Sequence, residues 1–208
     1  MKKLFALLLA AAMLLTLGAC GKKNKGGISA EELEGTWTMT LNTAASLSEG
    51  SVSGISDLFD MMNLRQQGLR ITTDVTFADE TMTVDPAGLA DFYRDLFAAM
   101  EDWLAVAENA AAFDTYCQEN GQDKDTFLRQ IADDTLPETL AAELVKDMGD
   151  LHYEVDGNKL YTWNADGEKS EDEYFQFYYK DGTITVHKVV SEGETTELNG
   201  GDFVFVKQ

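Results

Sequence analysis

The sequence predicts an α+β domain that is mainly β: an antiparallel up-and-down barrel of about eight strands with a three-helix insertion between strands 3 and 4. Two observations predict this fold class. Short segments that alternate apolar and polar residues lie on both sides of residues 86–149, and tight-turn sequences join several of them. Residues 86–149 instead repeat apolar residues at spacings of three and four, as amphipathic helices do.

Three strands are predicted before the insertion. Residues 36–41 alternate strictly between threonine and apolar residues, which indicates a half-buried strand. A Ser/Gly-rich stretch follows, and a short amphipathic helix is predicted over 55–62. The second and third strands cover residues 69–77 and 81–84, and a tight turn at 78–80 joins them.

The insertion and the remaining strands follow in order. Three helices are predicted over residues 89–117, 127–131 and 135–148. Strand patterns then occupy 151–155, 160–163, 174–179, 183–187 and 195–207, with hairpin signals at Asp156-Gly157-Asn158 and Lys180-Asp181-Gly182. The last segment is interrupted at Asn199-Gly200-Gly201, so it forms either one bulged strand or two.

The beginning of the first strand resembles that of a lipocalin-like domain. A short acidic helical segment leads into Gly35-Thr36-Trp37, and an antiparallel meander follows. The resemblance implies an eight-stranded barrel in which Trp37 lies across the closed base. In that family an arginine near the end of the barrel stacks on the tryptophan, whereas this sequence has Lys207 there. The three-helix insertion also departs from the family pattern, so only the architecture is transferred.

In an up-and-down meander, successive connections alternate between the two ends of the barrel. The second, fourth and sixth connections are tight turns, whereas residues 43–68, 86–149 and 165–172 form the long first, third and fifth connections. All long connections are therefore expected at one end, where the helices would cap the barrel. Loops on a rigid scaffold commonly carry binding sites.

The inward side chains are expected to be large, and they leave two interpretations of the interior. An eight-stranded barrel either is filled by its side chains or holds one small ligand. Aromatic and methionine side chains suit an apolar ligand, but they also build solid cores. The candidate lining residues are Trp37, Met39, Ile71, Phe77, Met82, Tyr153, Phe175, Phe177 and Tyr179.

Residues 1–19 have the features of a bacterial export signal. Two lysines precede an apolar run over residues 4–17, which is shorter than the ~20 residues of a membrane-spanning helix. The run ends in Leu17-Gly18-Ala19-Cys20, which resembles a lipobox, so Cys20 is expected to be lipidated. Residues 20–27 form a lysine-containing flexible tether, and the domain covers 28–208. We therefore expect a protein anchored to the cell membrane on its extracytoplasmic side.

The negative charge of the domain disfavours two kinds of binding partner. The chain has 16 basic and 37 acidic residues, and five of the lysines precede residue 28. The domain therefore keeps 11 basic residues against 37 acidic ones, a net charge of −26. Such a charge repels nucleic acid and anionic lipid. It also suits a solvated surface, and we expect a monomer.

No catalytic or cofactor-binding motif is found. His152 and His187 stand alone on predicted strands, and Cys117 lies on a helical pattern that predicts burial. One partial match to a calcium loop places Thr162, Asn164, Asp166, Gly167 and Glu173 at positions 1, 3, 5, 6 and 12. Its first position should be an aspartate and strands flank it, so Asn164, Asp166 and Glu173 form only a weak calcium candidate.

These observations favour a non-enzymatic function and no cofactor. The first hypothesis is a membrane-anchored binding module for a small apolar ligand or an envelope component, which requires an enclosed cavity. The second is a structural or protein-interaction lipoprotein with a filled barrel, and an exposed apolar patch would support it. A hydrolase is the third, and it requires facing carboxylates in a cleft.

Overall fold

The computed structural model describes residues 27–43, 62, 68–149, 151–164, 167–191, 194–199 and 201–208. These residues form nine strands and five helices. The strands are β1 (Gly35–Asn42), β2 (Arg70–Ala78), β3 (Thr81–Val84), β4 (Leu151–Asp156), β5 (Lys159–Asn164), β6 (Tyr174–Lys180), β7 (Thr183–Ser191), β8 (Glu194–Glu197) and β9 (Phe203–Lys207). The helices are α1 (Ala30–Leu33), α2 (Pro86–Leu104), α3 (Ala107–Glu119), α4 (Lys124–Ile131) and α5 (Leu136–Met148).

Eight of the strands close into an antiparallel barrel. Strands β1 to β6 pair in sequence order, β6 pairs with β7, and β9 lies between β7 and β1. Strand β8 pairs with the second half of β7 and lies outside the closed ring. The predicted fold class is confirmed, and the interrupted last segment forms two strands rather than one.

The two ends of the barrel differ in the length of their connections. We call the base the end that carries the turns at 79–80, 157–158 and 181–182, and the mouth the opposite end. Since every strand is antiparallel to its neighbour, the long connections that follow β1, β3 and β5 all lie at the mouth. The helix predicted over 55–62 falls outside the described residues except for Met62, which is buried.

The insertion contains four helices rather than the predicted three. The predicted helix over 89–117 is broken at Val106, whose backbone is extended, with φ −84° and ψ 121°. The side-chain amide of Asn109 donates to the Trp103 carbonyl at 2.9 Å, which satisfies an acceptor at the end of α2. Neither glycine nor proline marks this break, so the continuous apolar pattern concealed it.

The helices and the barrel share one hydrophobic core. Helix α2 crosses β2 so closely that a Cβ on Gly88 would lie 2.0 Å from the Thr72 carbonyl oxygen. The Thr73 hydroxyl donates to the Asp85 carbonyl at 2.5 Å, next to the start of α2. Helices α2 and α5 pack together, and Arg94 pairs with Glu138 between them. The insertion is therefore packed onto the barrel.

Candidate functional site

The interior of the barrel is the site at which the sequence pattern predicts that a small ligand could bind. Seven of the nine candidate lining residues are buried in the shared core, whereas Met82 and Tyr179 are partly buried against it. The buried seven are Trp37, Met39, Ile71, Phe77, Tyr153, Phe175 and Phe177. These residues lie on β1, β2, β4 and β6, so strands from around the barrel contribute to one interior.

Aromatic rings from different strands meet inside the barrel. The Phe77 ring on β2 lies 5.0 Å from Tyr153 on β4 and 6.2 Å from Phe205 on β9, measured between centroids. The ring of Phe175 on β6 lies 5.5 Å from that of Phe203 on β9. One strand separates the two members of each pair in the sheet, so each contact is made inside the barrel, over the inner face of the strand between them. Such separations are typical of aromatic pairs in solid cores.

The exposure of these side chains gives the same result. Trp37 and Phe77 expose 0 % of their surface, and Phe177 exposes 1 %. A side chain that lined a chamber large enough for a ligand would have free surface toward that chamber. These three side chains therefore border no chamber of that size.

The base is closed by a polar clamp around Trp37. The indole Nε1 donates to the Leu33 carbonyl at 2.6 Å, which fixes α1 beneath the barrel. The Lys207 ammonium lies 5.3 Å from the centre of the Trp37 ring and donates to the Glu32 carbonyl at 2.5 Å. Lys207 therefore contacts the tryptophan, the contact that the resemblance assigns to an arginine.

Helix α1 itself is locally encoded. The Ser29 hydroxyl accepts from the Glu32 backbone N–H at 3.2 Å, and the Glu32 carboxylate accepts from the Ser29 N–H at 3.0 Å. This reciprocal capping box allows a helix of only four residues to form. The bonds from Ser29 lower the pKa of the Glu32 carboxyl. The chain reaches α1 beside the β4–β5 turn, where the Ile28 N–H donates to the Gly157 carbonyl at 3.2 Å.

The mouth is covered by the apolar face of α2. Its buried residues are Leu89, Ala90, Phe92, Tyr93, Leu96, Phe97 and Met100, and all belong to the shared core. The Tyr93 ring is 6.2 Å from that of Phe97, and burial raises the pKa of the Tyr93 hydroxyl to about 12.

A second apolar cluster lies on the outside of the barrel. Tyr161, Tyr174 and Val190 are buried together, and Trp163 packs against them. The Lys169 ammonium covers the Tyr161 ring at 4.4 Å and pairs with Glu154 at 2.7 Å and Glu171 at 2.9 Å. Burial, followed by the charge of Glu171, raises the pKa of the Tyr161 hydroxyl to about 12.

Sequence reasoning missed this outer cluster. Outward positions of an alternating strand are expected to face water, so Tyr161 and Tyr174 gave no signal of burial. The signal that was available is the loop over residues 165–173, since long loops often cover small satellite clusters. Lys169 in this loop covers the cluster by placing its ammonium over the Tyr161 ring and between the carboxylates of Glu154 and Glu171.

The weak calcium candidate gains no support from the described residues. Asn164 ends β5, its carbonyl accepts from the Gly167 N–H at 2.8 Å, and Asp166 lies outside the described residues. Lys169 occupies this loop and pairs with two carboxylates. Within the part of the chain that the structure describes, no three His, Cys, Asp or Glu side chains are grouped to hold a metal.

The two histidines lie on the outer wall and each stacks on an aromatic ring. His152 lies 5.8 Å from Trp163, and His187 lies 4.0 Å from Tyr178, measured between ring centres. His187 Nδ1 is buried, and no described residue forms a hydrogen bond with it. Burial lowers the pKa of His187, although the charge of Glu197 opposes this change.

The remaining candidates concern export and redox chemistry. The lipobox residues Leu17, Gly18, Ala19 and Cys20 lie outside the described residues. Cys117 is a buried free thiol, and burial raises its pKa, which disfavours the reactive thiolate. No helix in the described ranges has both the length and the apolar character needed to cross a bilayer.

Comparisons with protein-family models, with curated proteins and with solved structures find no match for this chain. The chemistry of the chain's own residues is therefore the basis for assigning a function.

Proposed function

We propose that this chain is a lipid-anchored, extracytoplasmic interaction protein without enzymatic activity, in which a filled lipocalin-like barrel serves as a rigid scaffold. The observation that carries the proposal is the packing of Phe77 against Tyr153 and Phe205 inside the barrel. An interior occupied by the protein's own rings favours binding on the outer surface over binding of a small apolar ligand within. The second hypothesis from the sequence therefore has more support than the first.

The anchor in this proposal is Cys20, acylated after removal of residues 1–19. The pattern that supports it is the lysine pair, the short apolar run and Leu17-Gly18-Ala19-Cys20. Seven peptide steps separate Cys20 from Gly27, which is packed against Gly157 at the base. Fully extended, they span about 25 Å. The anchored molecule would therefore hold its base near the membrane and turn its mouth outward.

Binding of an apolar probe tests the filled barrel. A naphthalene-type fluorescent probe should bind the intact protein no better than it binds a buffer blank. The variant Phe77→Ala provides a positive control, because it opens a cavity of about one aromatic ring that apolar molecules can occupy. Saturable binding of one probe per unmodified chain, or a stoichiometric apolar molecule that co-purifies from membranes, would overturn the proposed scaffold function.

A separate experiment tests the anchor. Cys20→Ser should move the chain from the membrane fraction to the soluble extracytoplasmic fraction, and metabolic labelling with a fatty acid should disappear. Cys117→Ser is the matched control and should leave both membrane retention and labelling unchanged. Retention of the Cys20→Ser chain in membranes would contradict lipid anchoring.

A further inference from the structure

Strand β8 differs from the eight strands of the closed barrel. It pairs with β7 through four residue pairs, from Ser191 opposite Glu194 to Lys188 opposite Glu197. Within the described part of the chain, its second edge pairs with no strand. An unpaired strand edge presents backbone donors and acceptors to which another extended chain can pair.

The structure shows why β1 does not cover this edge. Strand β1 ends at Asn42, whose N–H donates to the Asp202 carbonyl at 2.7 Å and whose amide donates to the Asp202 carboxylate at 3.1 Å. Between β8 and β9 the chain makes a loop in which the Asn199 N–H donates to that carboxylate at 3.1 Å, and Gly201 adopts a φ of +102°. Strand β8 therefore projects beyond the end of β1, and among the described strands it pairs with β7 alone.

The backbone alternation identifies which groups face outward. The Leu198 N–H donates to the His187 carbonyl at 2.8 Å. In an antiparallel pair, hydrogen-bonded positions alternate, so the backbone groups of Thr196 and Glu194 also point toward β7. The N–H and carbonyl groups of Thr195 and Glu197 then point away from β7. Two donors and two acceptors are available on this edge.

Charge determines what can pair with the edge. An antiparallel second copy in the register centred on Glu197 would place the two Glu197 carboxylates opposite each other, and like charges directly opposite each other are destabilising. Each copy also carries a domain charge of −26. Glu197 has 69 % of its side chain exposed and already attracts Lys188 at 3.4 Å. A chain with basic side chains at alternate positions would meet Glu197 and this acidic field without repulsion.

We propose that the outer edge of β8 binds an extended basic segment of a partner protein by strand addition. The segment would bond to the backbone of Thr195 and Glu197, and its lysines or arginines would lie on the face of β8 that carries the Glu197 side chain. This inference rests on the proposed interaction function and names the surface and the partner chemistry. Strand addition of this kind derives affinity from main-chain bonds and selectivity from alternate side chains.

The test uses the full-length chain in detergent and a blocked hexapeptide that alternates lysine with threonine, labelled with a fluorophore. Thr195→Pro removes one outward donor, and it leaves the bonds between β8 and β7 in place. We expect anisotropy titrations at about 150 mM salt to show saturable binding that Thr195→Pro weakens by about tenfold or more. Glu197→Gln should weaken it by about threefold.

Two matched controls separate strand addition from general attraction to an acidic protein. Glu108→Gln removes an exposed charge on α3 and should not alter binding, and a hexapeptide with glutamate in place of lysine should not bind. Absence of saturable binding by the lysine peptide would overturn the proposal. Equal binding by the parent and the Thr195→Pro chain would also overturn it, provided that Thr195→Pro retains the parent's circular dichroism.

Glu197→Gln keeps the proposal testable if Thr195→Pro fails to fold. The two proposals can also fail separately. Apolar-probe binding inside the unmodified barrel would defeat the scaffold function while leaving the peptide titration unaffected. Loss of the peptide result alone would remove only this edge as the interaction surface.

Discussion

The base and the mouth of the barrel are stabilised in different ways. At the base, short turns and polar bonds join residues far apart in sequence: Lys207 reaches the Glu32 carbonyl across 175 positions. At the mouth, the long connections contribute apolar helix faces, and β8 has one edge to which no described strand pairs. The comparison indicates that contacts at the base stabilise the fold, whereas the long connections at the mouth can present additional surface for binding. Four measurements can test this difference between the base and the mouth.

The largest expected effect compares a tryptophan at each end. Trp37→Ala should lower the free energy of unfolding by about 3–5 kcal/mol, because the side chain is fully buried and holds α1. Trp103→Ala, at the end of α2, should cost less than about half of that, since Trp103 is only partly buried. Urea unfolding followed by circular dichroism measures both. Equal losses would contradict the distinction between base and mouth.

The second prediction concerns the clamp alone. Lys207→Met should lower the free energy of unfolding by about 1.5 kcal/mol, because it removes the contact with the Trp37 ring and the bond to Glu32. Lys207→Arg should recover most of this loss. The control is Lys180→Met, since the Lys180 side chain is 87 % exposed. A Lys207→Met chain as stable as the Lys180→Met chain would show that the clamp contributes nothing.

Helix caps provide the third comparison. Asp85 accepts from the Ala87 N–H at 2.9 Å at the start of α2, so Asp85→Ala should cost about 1 kcal/mol. Ser29→Ala at the base should cost about half as much, because α1 has only four residues. Thermal unfolding of the two variants would measure the difference. A larger loss from Ser29→Ala would mean that α1 is more important to the fold than α2.

The smallest expected effect is a pH dependence beside β8. Folding lowers the pKa of His187 through burial, so the unfolded chain binds a proton before the folded chain does. Its contribution is therefore fully present above the usual pKa of 6.5 and is lost as pH falls below that value. The groups around His187 are Tyr178, Lys188 and Glu197. His187→Gln should flatten the change in unfolding free energy between pH 7 and pH 5, and an unchanged slope would refute this assignment.

Local sequence patterns predicted most of the strands that form the barrel wall. Strict alternation identified residues 36–41, and Asp156-Gly157-Asn158 identified a hairpin, because each signal depends only on neighbouring residues. The break before Ala107 was missed because it depends on the Asn109 side chain reaching back to Trp103. The clamp at Lys207 and the ring contacts inside the barrel also depend on residues that meet only in the folded state. Side-chain size suggested a filled barrel, but no local pattern could show which rings touch.

The candidate interaction surface was the least predictable feature. An interruption at Asn199-Gly200-Gly201 was visible, yet the sequence did not show whether it divides the strand. The separation of β8 depends on where β1 ends and on the bonds of Asp202, both of which are tertiary properties. A strand edge stays unpaired when no neighbouring strand extends far enough to pair with it. The residues of the strand itself therefore give little indication of it.

The attachment of α1 at the base has a mechanical consequence. Three separate bonds hold this segment: Ile28 to the β4–β5 turn, Leu33 to the Trp37 indole, and Glu32 to Lys207 on β9. A pulling force applied along residues 27–34 would be shared by the β4–β5 turn, β1 and β9. It would therefore not act on the pairing of one strand with its neighbour alone.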